Sequence, residues 1–360
     1  MISELINQRV FPPIPDCDAQ GWKNLRREYV DVLCREEFGT PLPPPTELHF
    51  EERIDYPGAK NFCAGEAEIK TVIASGVVCG KPFSFPFTAV LPRKGEKLPF
   101  FVHCNFESQI PNKYSPTEEI VNRGFALLSV YYKDVTADDG DFTDGLAGAV
   151  TPDPEHRAPD APGKIAMWAW ANMRLMDYAM TLECLDPTRS AVIGHSRLGK
   201  TALVAGMLDD RFQYVISNDS GCSGAAITRG KVGEQISDIT KHFPYWFCEN
   251  YKKYTDHNNL TFDQHMLIAA SAPRTVIVGS ADEDTWADPA SEFLGCAAAS
   301  PAWIAHGKRG FIAPDRLPVP GDVFDEGNIC YQLRTGCHYL SRRDWNVYMD
   351  IILKKNNTTK

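Results

Sequence analysis

The chain has 360 residues, enough for one large α/β domain or two medium ones, and its 43% hydrophobic content supports a sizeable core. A formal net charge of −10 argues against nucleic acid or an anionic membrane surface as the main partner. No apolar run reaches the length of a membrane span, and the 11 cysteines, an odd number without CxxC pairs, read as buried free thiols and not as a zinc site or disulfide framework.

The chain opens MISELINQRVFPPIPD, with no basic segment followed by an apolar one. No secretory signal is read there, and the expectation is a cytoplasmic protein or a trimmed secreted form, monomeric and without cofactor. Residues 1–60 are Pro-rich (FPPIPD, PLPPP) around a helical stretch near Trp22–Phe38, and read as an extension packed on the core. Residues 61–360 contain no repeat or low-complexity linker and read as one domain. Strand patterns cover Glu66–Val78, Phe83–Leu91 and Leu98–Cys104, with PRKGEK as punctuation. FALLSVYY at 125–132 is nearly all apolar, the mark of a strand buried on both faces. In the acidic loop Asp134–Asp144, residues Asp138, Asp139, Asp141 and Asp144 lack the spacing of an EF-hand and are read as solvated. Ile165–Thr181 is helical, Ser190–Gly194 a short buried strand and Lys200–Leu208 helical; Tyr214–Ser217 and Arg274–Gly279 are strands. Alternation of this kind predicts an α/β class, three-layer sandwich with a mostly parallel central sheet.

The stretch VIGHSRLGKT, residues 192–201, has two readings. As G-x-x-x-x-G-K-T it matches a phosphate-binding loop, whose lysine and hydroxyl would complete a phosphate cradle. As G-H-S-R it is most of a nucleophile elbow, in which Ser196 sits on a sharp strand-to-helix turn and Gly194 lets the turn close. The second elbow glycine comes one place late, at Gly199. A phosphate-binding loop also needs a later strand ending in a magnesium-binding Asp, and no apolar run here offers one. An elbow needs an acid and then a histidine further on. Asp284 follows the apolar run TVIVG in SADEDTWADP, and His338 lies near the C-terminus in RTGCHYLSRRDW. That order predicts a serine hydrolase of the α/β-hydrolase fold, with Ser196 as nucleophile, His338 as base and Asp284 orienting the imidazole. The backbone N–H of Arg197 is one oxyanion donor, and the loop at Asn105-Phe106 is a candidate second. His195 reads as packing, since adjacent residues at an elbow point apart, and no spacing indicates a metal.

IGHSRLGKTAL is similar to the G-C-S-R-x-G-K signature of the glucuronoyl esterases, carbohydrate esterase family fifteen, which also places its second glycine one position late. YYKDVTADDGDF, IAMWAWANMRLMDY, SNDSGCSGAA, FPYWF, DQHMLIAASAPR, DEDTWADP and TGCHYLSRRDW resemble segments of that family's bacterial branch. The chain departs from the signature at His195, where the family has Cys. The resemblance implies hydrolysis of esters of (4-O-methyl)glucuronic acid in xylan or lignin–carbohydrate linkages. A related sugar ester, such as acetylated xylan or a uronate methyl ester, is the next reading, and a catalytically inactive carbohydrate-binding fold is the alternative of another class. It implies that the Arg197 side chain is a further oxyanion donor, and that Lys200, Glu234 and Trp286 hold the hydroxyls of the sugar ring. It also raises a second candidate acid, Asp219, where many members carry a Glu; Asp284 is preferred, with contact from both left open. Phe243 and Trp246 read as packing aromatics.

Overall fold

The computed structural model describes residues 1–56 and 58–358. Ten strands form its sheet: β1 (Thr46–Arg53), β2 (Ala67–Val78), β3 (Lys81–Pro92), β4 (Leu98–Asn105), β5 (Ala126–Tyr131), β6 (Leu185–His195), β7 (Tyr214–Asn218), β8 (Thr275–Ala281), β9 (Val323–Phe324) and β10 (Ile329–Arg334). Their spatial order is β1-β2-β3-β5-β4-β6-β7-β8-β10-β9. The run β5-β4-β6-β7-β8-β10 is parallel throughout. The pairings β1–β2, β2–β3, β3–β5 and β10–β9 are antiparallel.

Central strands covered on both faces carry mostly apolar or small residues, and every residue of β4, β7 and β8 is buried. Neighbours along a strand point to opposite faces. In β4, Phe100 and Val102 enter one hydrophobic cluster while Phe101 enters the other. Helices Lys164–Ala179 and Arg197–Leu208 cover the first face, bringing Trp168, Met176, Leu198 and Leu203 into that cluster. The helix Arg342–Thr358 covers the other face with Trp345, Tyr348 and Met349. Sheet and two helical layers make the α/β-hydrolase sandwich. No helix among the described residues is long and apolar enough to cross a membrane.

Within residues 1–60, the helix Ala19–Leu33 lays Trp22, Tyr29 and Leu33 on the main core, and β1 joins the sheet as its edge strand. The edge is defended by charge, since Glu47, Glu51, Glu52 and Arg53 are exposed along it. The pattern of the sequence missed β1, β9 and β10, the helix Pro289–Ala299 and the C-terminal helix; the helix placed at Lys200 begins at Arg197. All 11 cysteines are free thiols, but only six are buried, and Cys79 and Cys337 are exposed.

Candidate active site

β6 ends at His195 and the next helix starts at Arg197, so Ser196 alone makes the turn. Its φ of 58° and ψ of −128° lie where L residues are strained. The turn is held because Ser196 N–H donates to Asn218 O at 2.8 Å, across the end of β7. Gly194 is required here: a Cβ on it would stand 1.9 Å from the Leu198 carbonyl oxygen. Leu198, where the usual elbow has glycine, is fully buried in the core. Gly199 does a different job, for a Cβ there would come 3.1 Å from both Asn218 O and Ser220 Cβ. The late glycine therefore serves close helix–sheet contact.

The phosphate-loop reading of the same stretch fails on its backbone. Gly199 N–H and Lys200 N–H both donate to Ser196 O, so they close the first helical turn and are not turned toward an anion. Lys200 is buried and its ammonium donates to Ser220 O at 2.6 Å.

The loop after β8 and the loop after β10 bring the other partners. His338 Nδ1–H donates to Asp284 Oδ2 at 2.6 Å. Asp284 is buried, whereas the His338 side chain is 44% exposed toward the pocket mouth. Asp219 lies close by: ligating atoms of Asp219, Asp284 and His338 all fall within 4.8 Å of one another. Its bonds go elsewhere, however. Asp219 Oδ2 accepts from Arg334 Nη2 and from Tyr339 N–H, each at 3.4 Å, and Oδ1 has no partner. Burial, with Glu292 and Asp284 nearby, holds the Asp219 carboxyl well above the usual carboxylate range. Those three side chains are the metal-compatible group among the described residues, but their hydrogen bonds are those of a histidine held by an acid.

The turn that carries His338 is built on Arg334. Its Nη2 donates to the carbonyls of Cys337 and Tyr339, and its Nε to both oxygens of Asp344. His195 packs against the ring of His338. Its ring centroid is 4.4 Å from that of His338, and Nδ1 is 2.8 Å from Asn218 Oδ1. Burial, and after it the neighbouring His338, push His195 well below the ordinary imidazole value, so it packs as a neutral ring.

A cavity of about 360 Å³ opens over Ser196, and all eight residues singled out from the sequence line it: Ser196, Arg197, Lys200, Asp219, Glu234, Asp284, Trp286 and His338. It sits at the carboxyl ends of the parallel strands, where open α/β sheets hold their ligands. Trp286 stands at its rim, 57% exposed. Glu234 is tied beside it because Glu234 N–H donates to Trp286 O at 3.0 Å, and Gly233 (φ +70°) makes that approach possible: a Cβ there would lie 2.4 Å from Thr285 O. Burial lowers the Lys200 ammonium from its ordinary value, with Glu234 opposing the shift.

Three expectations change. The acidic loop is not simply solvated: the Asp138 side chain is only 6% exposed and accepts from Arg197 Nη1, from Trp246 Nε1 at 2.7 Å and from Tyr132 OH at 3.1 Å. Asp144 pairs with the buried Lys164. Phe243 and Trp246, read as packing, line the cavity with their rings stacked 4.0 Å apart. The Arg197 guanidinium lies 4.4 Å from the Trp246 ring centroid. Asp138 lies 59 positions from Arg197 and 108 from Trp246, and local pattern carries no signal of these contacts. The Asn105-Phe106 loop does not line the cavity, and the Asn105 amide donates to Ser129 Oγ instead.

Comparison with known proteins bears on the family and the fold. A family model described as glucuronyl esterase, fungi, matches residues 155–307. A curated carbohydrate esterase of an unknown prokaryotic organism is 40% identical over 236 residues, 65% of this chain and 54% of its own length. A 4-O-methyl-glucuronoyl methylesterase of Podospora anserina is 31% identical over 299 residues, 79% of this chain and 56% of its own. The chain thus spans little more than half the length of these two curated relatives. The solved glucuronoyl esterase from Solibacter usitatus superimposes with a TM-score of 0.82 at 30% identity, covering 96% of this chain and 97% of that one.

Proposed function

The chain belongs to the glucuronoyl esterase family, and from that premise we propose that it is a serine esterase hydrolysing esters of (4-O-methyl)glucuronic acid in xylan or lignin–carbohydrate linkages. The observation that carries the reading is the single cavity that unites Ser196 on its strained turn, the His338–Asp284 pair and the polar set Lys200, Glu234 and Trp286.

In this mechanism Ser196 Oγ attacks the acyl carbon while the ring nitrogen of His338 not bonded to Asp284 takes the hydroxyl proton. Asp284 holds the ring through Nδ1–H and stabilises the imidazolium that forms. Negative charge gathering on the carbonyl oxygen meets the Arg197 backbone N–H and its guanidinium. The C–O bond to the alcohol then breaks, and His338 returns the proton to the leaving oxygen. Water, deprotonated by the same imidazole, attacks the acyl-enzyme and releases the uronic acid and free Ser196. Asp219 keeps the His338 turn in place through Tyr339 N–H and Arg334. On the acyl side, Lys200 donates to ring hydroxyls, Glu234 accepts from them, and Trp286 provides an apolar wall with one N–H donor.

A fluorophosphonate probe labels Ser196 in the wild type and not in Ser196→Ala, and benzyl glucuronate is hydrolysed faster than acetyl or galacturonate methyl esters. Labelling without turnover of any glucuronate ester would overturn the substrate class. Absence of labelling would overturn the esterase and leave the inactive carbohydrate-binding fold.

A further inference from the structure

Arg197 is the first residue after the nucleophile, and three features of its surroundings are unusual together. Its Nη1 is engaged by Asp138, a carboxylate 6% exposed and 59 residues earlier in the chain. Its Nε is buried with no partner. Its planar group lies against Trp246, with Phe243 and Phe106 at 5.3 and 5.6 Å. Asp138 does not serve Arg197 alone. The same carboxylate accepts from Trp246 Nε1 and Tyr132 OH, and its backbone carbonyl accepts from Tyr245 OH at 3.0 Å. One acid thus fixes both the cation and the aromatic wall it lies on.

The charge balance adds a second consequence. An ester is neutral and the product of its hydrolysis is a carboxylate. An unpaired guanidinium one residue from the nucleophile would hold that product strongly, through a charge-assisted, two-pronged contact. A paired one is held for the transient oxyanion but attracts a full anion less, because the second charge opposes it at short range.

The geometry points to Asp138 as a positioning residue and counter-ion for Arg197, which orients the guanidinium toward the oxyanion and limits retention of the carboxylate product. The inference rests on the esterase reading above. It differs from a merely structural role because it predicts opposite changes in two measurements. Asp138→Asn keeps the acceptor for Trp246 and removes the charge. The expected result is fluorophosphonate labelling of Ser196 slowed about tenfold, with sodium glucuronate protecting Ser196 from the probe at concentrations about threefold lower or less. In an Arg197→Ala background, adding Asp138→Asn changes neither quantity more than about twofold, since Asp138 acts through Arg197.

Slower labelling together with weaker protection would overturn the assignment in favour of general loosening, as would full additivity in the double variant. If Asp138→Asn does not fold, Asp138→Glu decides: it keeps the charge and shifts Arg197, so labelling slows while protection stays unchanged; unchanged labelling would overturn the assignment. If glucuronate fails to protect even the wild type, the substrate reading fails, and the labelling rates alone decide the role of Asp138.

Discussion

His338 Nδ1 stands 2.6 Å from Asp284 Oδ2, although the two residues are 54 positions apart and a second carboxylate, Asp219, lies in the same cluster. The two acids differ in what they touch. Asp284 meets the ring, and Asp219 meets Arg334 and the backbone of the turn. Asp284→Asn should lower kcat by about four orders of magnitude, because the amide favours the wrong tautomer. Asp219→Asn leaves the ring contact intact and should cost about tenfold through a loosened turn. Equal losses, or a larger loss at Asp219, measured by steady-state hydrolysis of benzyl glucuronate, would reverse the two roles.

Strain at the elbow predicts a stability difference between two inactive enzymes. Ser196 has φ of 58°, a region that glycine enters freely and alanine does not. Ser196→Gly should therefore be more stable than Ser196→Ala by about 1 kcal/mol in urea unfolding. Gly194→Ala behaves differently, since its Cβ would overlap the Leu198 carbonyl at 1.9 Å. A loss of about 3 kcal/mol or more is expected there. A soluble Gly194→Ala protein with wild-type stability would show that the elbow can relax.

Trp286 combines exposure with a place in the cavity. Trp286→Ala should raise KM for a glucuronate ester about tenfold and change kcat little, the pattern of lost ground-state and transition-state binding in equal measure. Because the ring is 57% exposed, unfolding stability should shift by about 0.5 kcal/mol or less. Loss of stability without a change in KM would return Trp286 to a packing role.

Behind Lys200 lies a fully buried acid, Glu37, which Gln264 Nε2 meets at 3.2 and 3.1 Å. Burial pushes its carboxyl from 4.5 up to about 8. The folded protein then holds this proton more tightly than the unfolded chain does. The resulting stability is fully present below pH 4.5 and is lost as pH rises to about 8, beyond which the penalty is constant. Glu37→Gln removes that slope. Its melting temperature should lie near the wild-type value at about pH 5 and above it at about pH 9. Parallel melting curves for the two proteins across this range would show that Glu37 does not carry the slope.

Residues close in sequence were the most legible. VIGHSRLGKT contains both the strand that ends at His195 and the helix that begins at Arg197, so a local pattern sufficed to place Ser196. The order Ser196, Asp284, His338 was readable because each partner follows an element with its own apolar or turn signal, and the strands buried on both faces announced themselves as unbroken apolar runs. β1, β9 and β10 were harder. β1, an edge strand, mixes charged and apolar residues; β9 is only two residues long; and β10, though wholly buried, carries Gln332 and Arg334 in its run.

What the sequence alone determined was the class of fold, the place of Ser196 on a strand-to-helix turn and the set of residues that would share one pocket. What only the tertiary structure decided was which carboxylate holds His338, that Lys200 N–H closes a helix and does not cradle a phosphate, and that an acid from a loop read as solvated pins Arg197. The reason is physical. Spacing along a strand or helix is set by local geometry, with periods of about 2 and 3.6 residues, whereas the partner of a buried charge is set by which distant groups the folded chain removes from water together.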